Sequence, residues 1–327
     1  GRVLALCGTM EAIFFATSNH ALMDAWTPLL KDAVSHMQAF PTKAVELRAY
    51  AAMLIAMIFR TPEANELERT AQRVVQLLDS DAPANQRLMA ATFLIVYCTF
   101  TGKFDLAAVV VLKGNVIASL EGITPHNRGL WSVWRCYLYQ IVFEFDKGIA
   151  AAREAEEMGE KHGFVQIAFF AHYFRSGIEA KAGDLAAAER SVARAVPLVD
   201  PAHKLQAALG NVCSAWLGIY ANRARLALEH GRLAMVVVRE IGSPSHHIHW
   251  GMPFLFGLIE TGKIEEARSV LAELRRAIEG TAIVCFEPLL MCAEARIEEL
   301  DGKRTRARKL VCGMWSMARI NYHGRYL

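Results

Sequence analysis

The densest run of chemistry-bearing side chains in the sequence is His246-His247-Ile248-His249-Trp250. On a helix, His246 and His249 share a face at three-residue spacing, as do His247 and Trp250. Two imidazoles on one face could take part in a metal site. A zinc site needs three or four ligands with thiolate or carboxylate help, and nearby the sequence offers only Glu240 and Glu260. The same histidines could instead hydrogen-bond a ligand from the wall of a groove, or pack and be solvated at a helix start.

A second cluster is Trp131-Ser132-Val133-Trp134-Arg135-Cys136-Tyr137, followed by Phe169-Phe170-Ala171-His172-Tyr173 and, further on, Trp216. Aromatic faces bury large area at little entropic cost, so these residues could floor a groove for a small molecule or a peptide. Arg135 and Arg175, beside the aromatics, would be the anion partners of such a ligand. The candidate binding set is therefore Trp131, Trp134, Arg135, His172, Tyr173, Arg175, Trp216, His246, His249 and Trp250. The competing reading is that an aromatic stripe at helical spacing is core. No G-x-S-x-G, H-E-x-x-H or Cys/His/Asn arrangement is legible, and Glu154, Glu156, Glu157 and Glu160 read as a solvated helix face. The expectation is a non-enzyme with no catalytic residue, no resident metal and no cofactor. The C-terminal Lys303, Arg304, Arg306, Arg308 and Lys309 read as a solvated basic face.

These residues must be carried by helices, because the chain repeats. Thr101-Gly102-Lys103-Phe104-Asp105-Leu106-Ala107 returns as Ala182-Gly183-Asp184-Leu185-Ala186-Ala187-Ala188, as Thr261-Gly262-Lys263-Ile264-Glu265-Glu266-Ala267 and as Asp301-Gly302-Lys303-Arg304-Thr305-Arg306-Ala307. Degenerate copies stand at Phe145-Asp146-Lys147-Gly148-Ile149-Ala150 and Asn222-Arg223-Ala224-Arg225-Leu226-Ala227. Turn markers at 102, 145, 183, 222, 262 and 302 lie 38 to 43 residues apart, and similar steps backward reach Thr61-Pro62 and Ser18-Asn19-His20. Glycine or asparagine ends the first helix of each unit in a left-handed conformation. The alanine falls where two helices of a hairpin approach closely. Leu185, Ala188, Val192 and Ala195, like Ile264, Ala267, Leu271 and Leu274, recur at helical spacing. Val109-Val110-Val111 and Val236-Val237-Val238 look strand-like but fall inside marked second helices, so tertiary context should override propensity.

The fold class predicted is all-α: a right-handed α-α superhelix, TPR-like, of about eight helical hairpins with a period near 40 residues, forming one domain over 1–327. The composition agrees, with 54% hydrophobic residues, 21% charged and a net charge of +3. That near-balance gives no electrostatic footprint for nucleic acid. Apolar runs such as Ala49–Phe59 and Ala91–Tyr97 are too short to span a bilayer. Seven cysteines without a C-x-x-C pair, all among apolar neighbours, predict buried reduced thiols in a cytoplasmic, soluble protein.

The motif Gly-Asp-Leu-x-x-Ala-x-x-x-Val-x-x-Ala-x-x-x-x-Asp-Pro over 183–201 resembles the second half of a tetratricopeptide repeat. The longer period is similar to that of MalT-type regulators. A likeness over nearly the whole chain is carried by Trp26-Thr27-Pro28-Leu29, by Ala51-Ala52-Met53-Leu54-Ile55-Ala56-Met57-Ile58-Phe59-Arg60, by Ser243–Trp250 and by Arg319-Ile320-Asn321-Tyr322-His323-Gly324. These stretches resemble the helical region of large bacterial signal-transduction ATPase regulators of transcription with BTAD-like or winged-helix output. The resemblance implies a fragment of a larger regulator, with an ATPase module before it and a DNA-binding part after it. Neither a phosphate loop nor a basic recognition helix is present in these residues. The partner expected is a protein or a small effector in the concave groove, with no direct nucleic-acid or membrane binding by this segment and with an end repeat free for homo-oligomer pairing. The alternative is a free-standing scaffold that binds an extended peptide.

Overall fold

A computed structural model describes residues 1–16, 19–60, 63–201 and 203–321, excepting the side chains of 316–321. The expected turns at Thr61-Pro62 and Ser18, and the end of the resemblance at Tyr322-His323-Gly324, lie outside the described residues. Among the described residues there are sixteen α-helices and no strand, apart from one isolated antiparallel bridge between Glu63 and Thr281. The chain is a TPR-like right-handed superhelix of helical hairpins.

Seven hairpins follow one another. They are α3 (Lys43–Arg60) with α4 (Ala64–Leu77), α5 (Ala84–Thr101) with α6 (Phe104–Ala118), and α7 (Pro125–Ile141) with α8 (Phe145–His162). Next come α9 (Val165–Lys181) with α10 (Leu185–Ala195), α11 (Lys204–Tyr220) with α12 (Ala224–Ile241), α13 (Pro244–Glu260) with α14 (Ile264–Ile278), and α15 (Glu287–Leu300) with α16 (Arg304–Asn321). Before them, α1 (Arg2–Phe15) and α2 (Thr27–Ser35) form an eighth pair, joined through a short 3-10 turn at His20–Ala25. Both valine runs are helical, inside α6 and α12.

The repeat signature explains the hairpins. Gly102, Gly183, Gly262, Gly302 and Asn222 all have positive φ at the turn, between 55° and 91°. Ala107, Ala188, Ala227, Ala267 and Ala307 are buried. At Gly218 a Cβ would press on the backbone nitrogen of Ala227, so the two helices of that hairpin touch through backbone. The degenerate copy departs from expectation: the left-handed residue is Phe143 (φ 60°), two positions before the marker at 145, and Phe145 already opens α8. The cysteines also differ in part. Five are buried, but Cys292 and Cys312 are exposed on the last hairpin.

The first helices of successive hairpins contact one another in order and form the inner layer, with the second helices outside. The superhelix then closes on itself. Helix α13 touches α3. The Arg60 guanidinium holds Asp24 and also donates to the Ile241 carbonyl (2.6 Å). The Phe100 carbonyl accepts from the amides of Val284 (3.0 Å) and Cys285 (3.2 Å). His20 stacks on His246 (ring centroids 5.1 Å apart), and Phe59 on His246 (5.0 Å). The groove expected to be open is thus bridged by its own ends into a chamber.

Candidate functional site

The chamber contains one sizeable cavity, about 480 Å³, within the range of small-ligand pockets. Three- and four-residue spacing on the inner helices builds its wall: Tyr137, Gln140 and Ile141 on α7; Tyr173, Ser176, Gly177 and Lys181 on α9; Trp216, Ile219 and Tyr220 on α11; His249 and Phe256 on α13. Phe143 enters from the α7–α8 turn, and the last hairpin adds Phe286, Pro288, Leu289, Met314 and Trp315. A narrower space of about 90 Å³ shares Tyr137, Tyr173 and His249 with it and runs on past Trp134, His246 and Trp250 toward Phe14, His20 and Phe59.

Eight of the nineteen lining residues are Phe, Tyr or Trp, and the polar groups are few. Lys181 Nζ donates to the Gln140 carbonyl (3.3 Å) and lies 5.3 Å from the centre of the Phe143 ring. Among the described residues no carboxylate comes within 4.0 Å of it. Burial alone pushes its amine down to about 8. His249 is pushed to about 3, first by burial and then by the Lys181 charge, so it is a neutral imidazole. Its Nε2 stands 3.4 Å from the Tyr173 hydroxyl. Burial raises the phenols of Tyr173 and Tyr220, which stay neutral too. On the wall, Gln140 Oε1 and Trp216 Nε1 are buried and have no hydrogen-bond partner among the described residues. Gly177 leaves the space that the Gln140 amide occupies, since a Cβ there would overlap it.

Phe143 is notable for its backbone. Elsewhere this turn uses glycine or asparagine for positive φ; a phenylalanine there costs about 1–2 kcal/mol. Strain of this kind persists where the side chain has a task, and the ring of Phe143 supports Lys181, the only lysine on the cavity wall among the described residues.

Six of the ten residues expected to bind line these spaces. Tyr173, Trp216 and His249 face the cavity, and Trp134, His246 and Trp250 face its narrow extension. The other four do not line them. Trp131 packs on Gly114, where a Cβ would overlap its ring, and donates to Asn115 (3.1 Å). Arg135 is engaged by Glu154, Ser132 and Asn115, and stacks over Trp131. His172 is buried beside Glu156 (3.3 Å). Arg175 pairs with Glu156 (3.0 Å) and Glu179 (2.7 Å). A helix turns 100° per residue, so positions 131, 135, 172 and 175 fall on the side of their helices that meets the outer helices α6 and α8. Two of the carboxylates expected to be solvated, Glu154 and Glu156, neutralise the two arginines expected to meet an anion.

The histidine run also splits. His247 bonds Glu273 (2.8 Å) on the outer side, while His246 bonds the Ser243 hydroxyl (3.1 Å). Burial drives His246 well below its usual range, and His20, whose ring nitrogens have no hydrogen-bond partner among the described residues, to about 4. Among the described residues no group of three or more His, Cys, Asp or Glu could hold a metal, so the metal reading of 246–249 has no third ligand. Lys181, Gln140, Phe143, Tyr220, Phe286 and Trp315 escaped the sequence reading. The spacing of Lys181 from Tyr173 and Gly177, eight and four residues along one helix face, was the available signal for the first of them.

No family model matches the sequence, and no curated protein matches it. Among solved structures, that of a Rap protein complexed with Competence and Sporulation Factor superposes over 99% of both chains with a TM-score of 0.67 and 10% identity. The apo form of RapI superposes over 97% of this chain and 86% of its own, with a TM-score of 0.50 and 9% identity. At such identities the likeness is one of fold.

Proposed function

We propose that this chain is a non-catalytic sensor: it binds a small effector, or the end of a partner peptide, in the chamber enclosed by its inner helices. The observation that carries the reading is the cavity of about 480 Å³, rich in aromatic rings, with the Lys181 amine on its wall. A fold neighbour that binds a factor, the Rap protein complexed with Competence and Sporulation Factor, supports it. The resemblance to bacterial ATPase regulators of transcription supplies the setting proposed, a cytoplasmic multidomain protein in which this region biases a neighbouring module. Such bias requires an effector that binds two states of the array unequally.

Closure of the superhelix disfavours a long peptide laid across the groove, because Phe100, Val284, Arg60 and Ile241 bridge its rim. The test is a thermal-shift screen of metabolites and short peptides on the 327-residue chain. A ligand at a hundred times its Kd stabilises by about 2.7 kcal/mol, a clear shift. A shift abolished by Trp216→Ala supports the chamber; shifts indifferent to Trp216→Ala, or none from a broad set, would refute it.

A further inference from the structure

We propose that the ligand of this cavity is a monoanion, a carboxylate on an aromatic or large apolar body, with the carboxylate seated on Lys181 Nζ and the body among the Trp216, Tyr220 and Phe286 rings. This deepens the sensor reading and rests on it. The two half-buried arginines of α7 and α9, the helices that flank the amine, are neutralised: Glu154 takes Arg135, and Glu156 and Glu179 take Arg175. Lys181 is treated differently. Its amine has a carbonyl and an aromatic face but, among the described residues, no carboxylate within 4.0 Å. A cation in apolar surroundings without a counter-charge is costly, and a ligand carboxylate is the chemistry that offsets the cost.

Two further observations point the same way. The buried indole N–H of Trp216 has no acceptor among the described residues, and a carboxylate oxygen or an adjoining carbonyl is one. The Gln140 amide oxygen offers an acceptor beside the amine for a hydroxyl or N–H of the ligand. The charge is limited to one because His249, the other nitrogen base on the wall, is neutral and the phenols around it stay protonated. The same chemistry could arrive as a free aryl acid or as the C-terminal residue of a peptide.

The test measures Kd by calorimetry at pH 7 for two matched pairs: indole-3-propionate against its primary amide, and a tripeptide ending in phenylalanine with a free C-terminus against the same peptide amidated. At least one acid should bind tenfold or more tighter than its amide, and the pair that shows the preference identifies the source. Lys181→Met should equalise acid and amide; Lys181→Arg should keep the preference. Equal binding of acid and amide by the unaltered protein, a preference that survives Lys181→Met, or no binding by either acid would overturn the proposal. Equal binding that Trp216→Ala abolishes removes the charge assignment and leaves the chamber reading standing. Binding indifferent to both Trp216→Ala and Lys181→Met removes both.

Discussion

Replacing Lys181 with methionine should make the ligand-free protein more stable at neutral pH, although it deletes two polar contacts. The amine is pushed from 10.5 to about 8 by burial alone. At 1.36 kcal/mol per unit, this corresponds to about 3 kcal/mol against the charged form. Lys181 is half-buried, so solvent reduces that figure, and 1–3 kcal/mol is the working range. The hydrogen bond to Gln140 and the contact with Phe143 return about 1 kcal/mol each at most. Methionine keeps most of the aliphatic stem and the packing it provides. The sign with pH is fixed, because the folded value lies below the unfolded one. The cost is fully present below pH 8, shrinks between pH 8 and 10.5, and is gone above. Urea unfolding of both proteins at pH 7 and pH 10.5 should therefore show Lys181→Met ahead by roughly 1 kcal/mol at the lower pH and level at the higher. The tyrosines and remaining lysines that titrate in this window are common to both proteins and cancel. A variant less stable at pH 7, or a gap that does not close on raising the pH, would show that the amine is solvated and would remove the electrostatic basis for an anionic ligand.

Three other perturbations test the surrounding structure. His20, His246 and His249 are held neutral below their usual range, so stability should fall as pH drops from 6.5 toward 4, by up to about 4 kcal/mol per pH unit with all three contributing; urea titrations at pH 7 and 5 should show His20→Phe reducing that slope, and an unchanged slope would contradict the burial of His20. At Phe143, with φ 60°, glycine should give a protein about 1 kcal/mol more stable than alanine does, the ring being lost in both; thermal melts giving the reverse order would deny the strained turn. Phe286→Ala removes a ring that meets both Phe100 and His249; small-angle scattering should show a larger radius of gyration as the closure weakens, and an unchanged radius would mean that the backbone bonds at Phe100 close the superhelix unaided.

How much of this was legible beforehand follows from the range of the forces involved. The hairpins were readable because each turn needs a local residue, glycine or asparagine at positive φ, and each hairpin needs a small residue at its crossing, as at Ala227 opposite Gly218. The displaced turn at Phe143 was not readable, because a phenylalanine does not signal positive φ; its ring meets Phe145 nearby and Lys181, 38 residues on. Helical spacing likewise put Tyr173, Trp216 and His249 on the inner face. It could not tell that Arg135 and Arg175 turn toward the second helices, where Glu154 and Glu156 await them, since those pairings depend on the helix–helix crossing. Closure was invisible for the same reason: the bond from Arg60 to the Ile241 carbonyl spans 181 residues of sequence and has no local signature.

Closure and binding share the same residues, and this gives the sensor reading a mechanism. The segment after α14 places the amides of Val284 and Cys285 on the Phe100 carbonyl at the rim, while Cys285 and Phe286 line the cavity. Phe286 lies 6.2 Å from Phe100 on one side and 5.4 Å from His249 on the other. A ligand on Lys181 that also touches Phe286 therefore adds its binding energy to the same contact that joins the early hairpins to the late ones. The closing hydrogen bonds at Phe100 and Ile241 are worth about 0.5–1.5 kcal/mol each. Their sum is of the same order as the roughly 2.7 kcal/mol that a ligand supplies at a hundred times its Kd. Stacking of Phe59 and His20 on His246 adds to that closure, so a ligand in the chamber would bias the balance between an open and a closed array rather than set it alone. An effector that bound only the inner helices α7 to α13, without reaching Phe286 or Trp315, would bind as tightly to either state and would shift nothing.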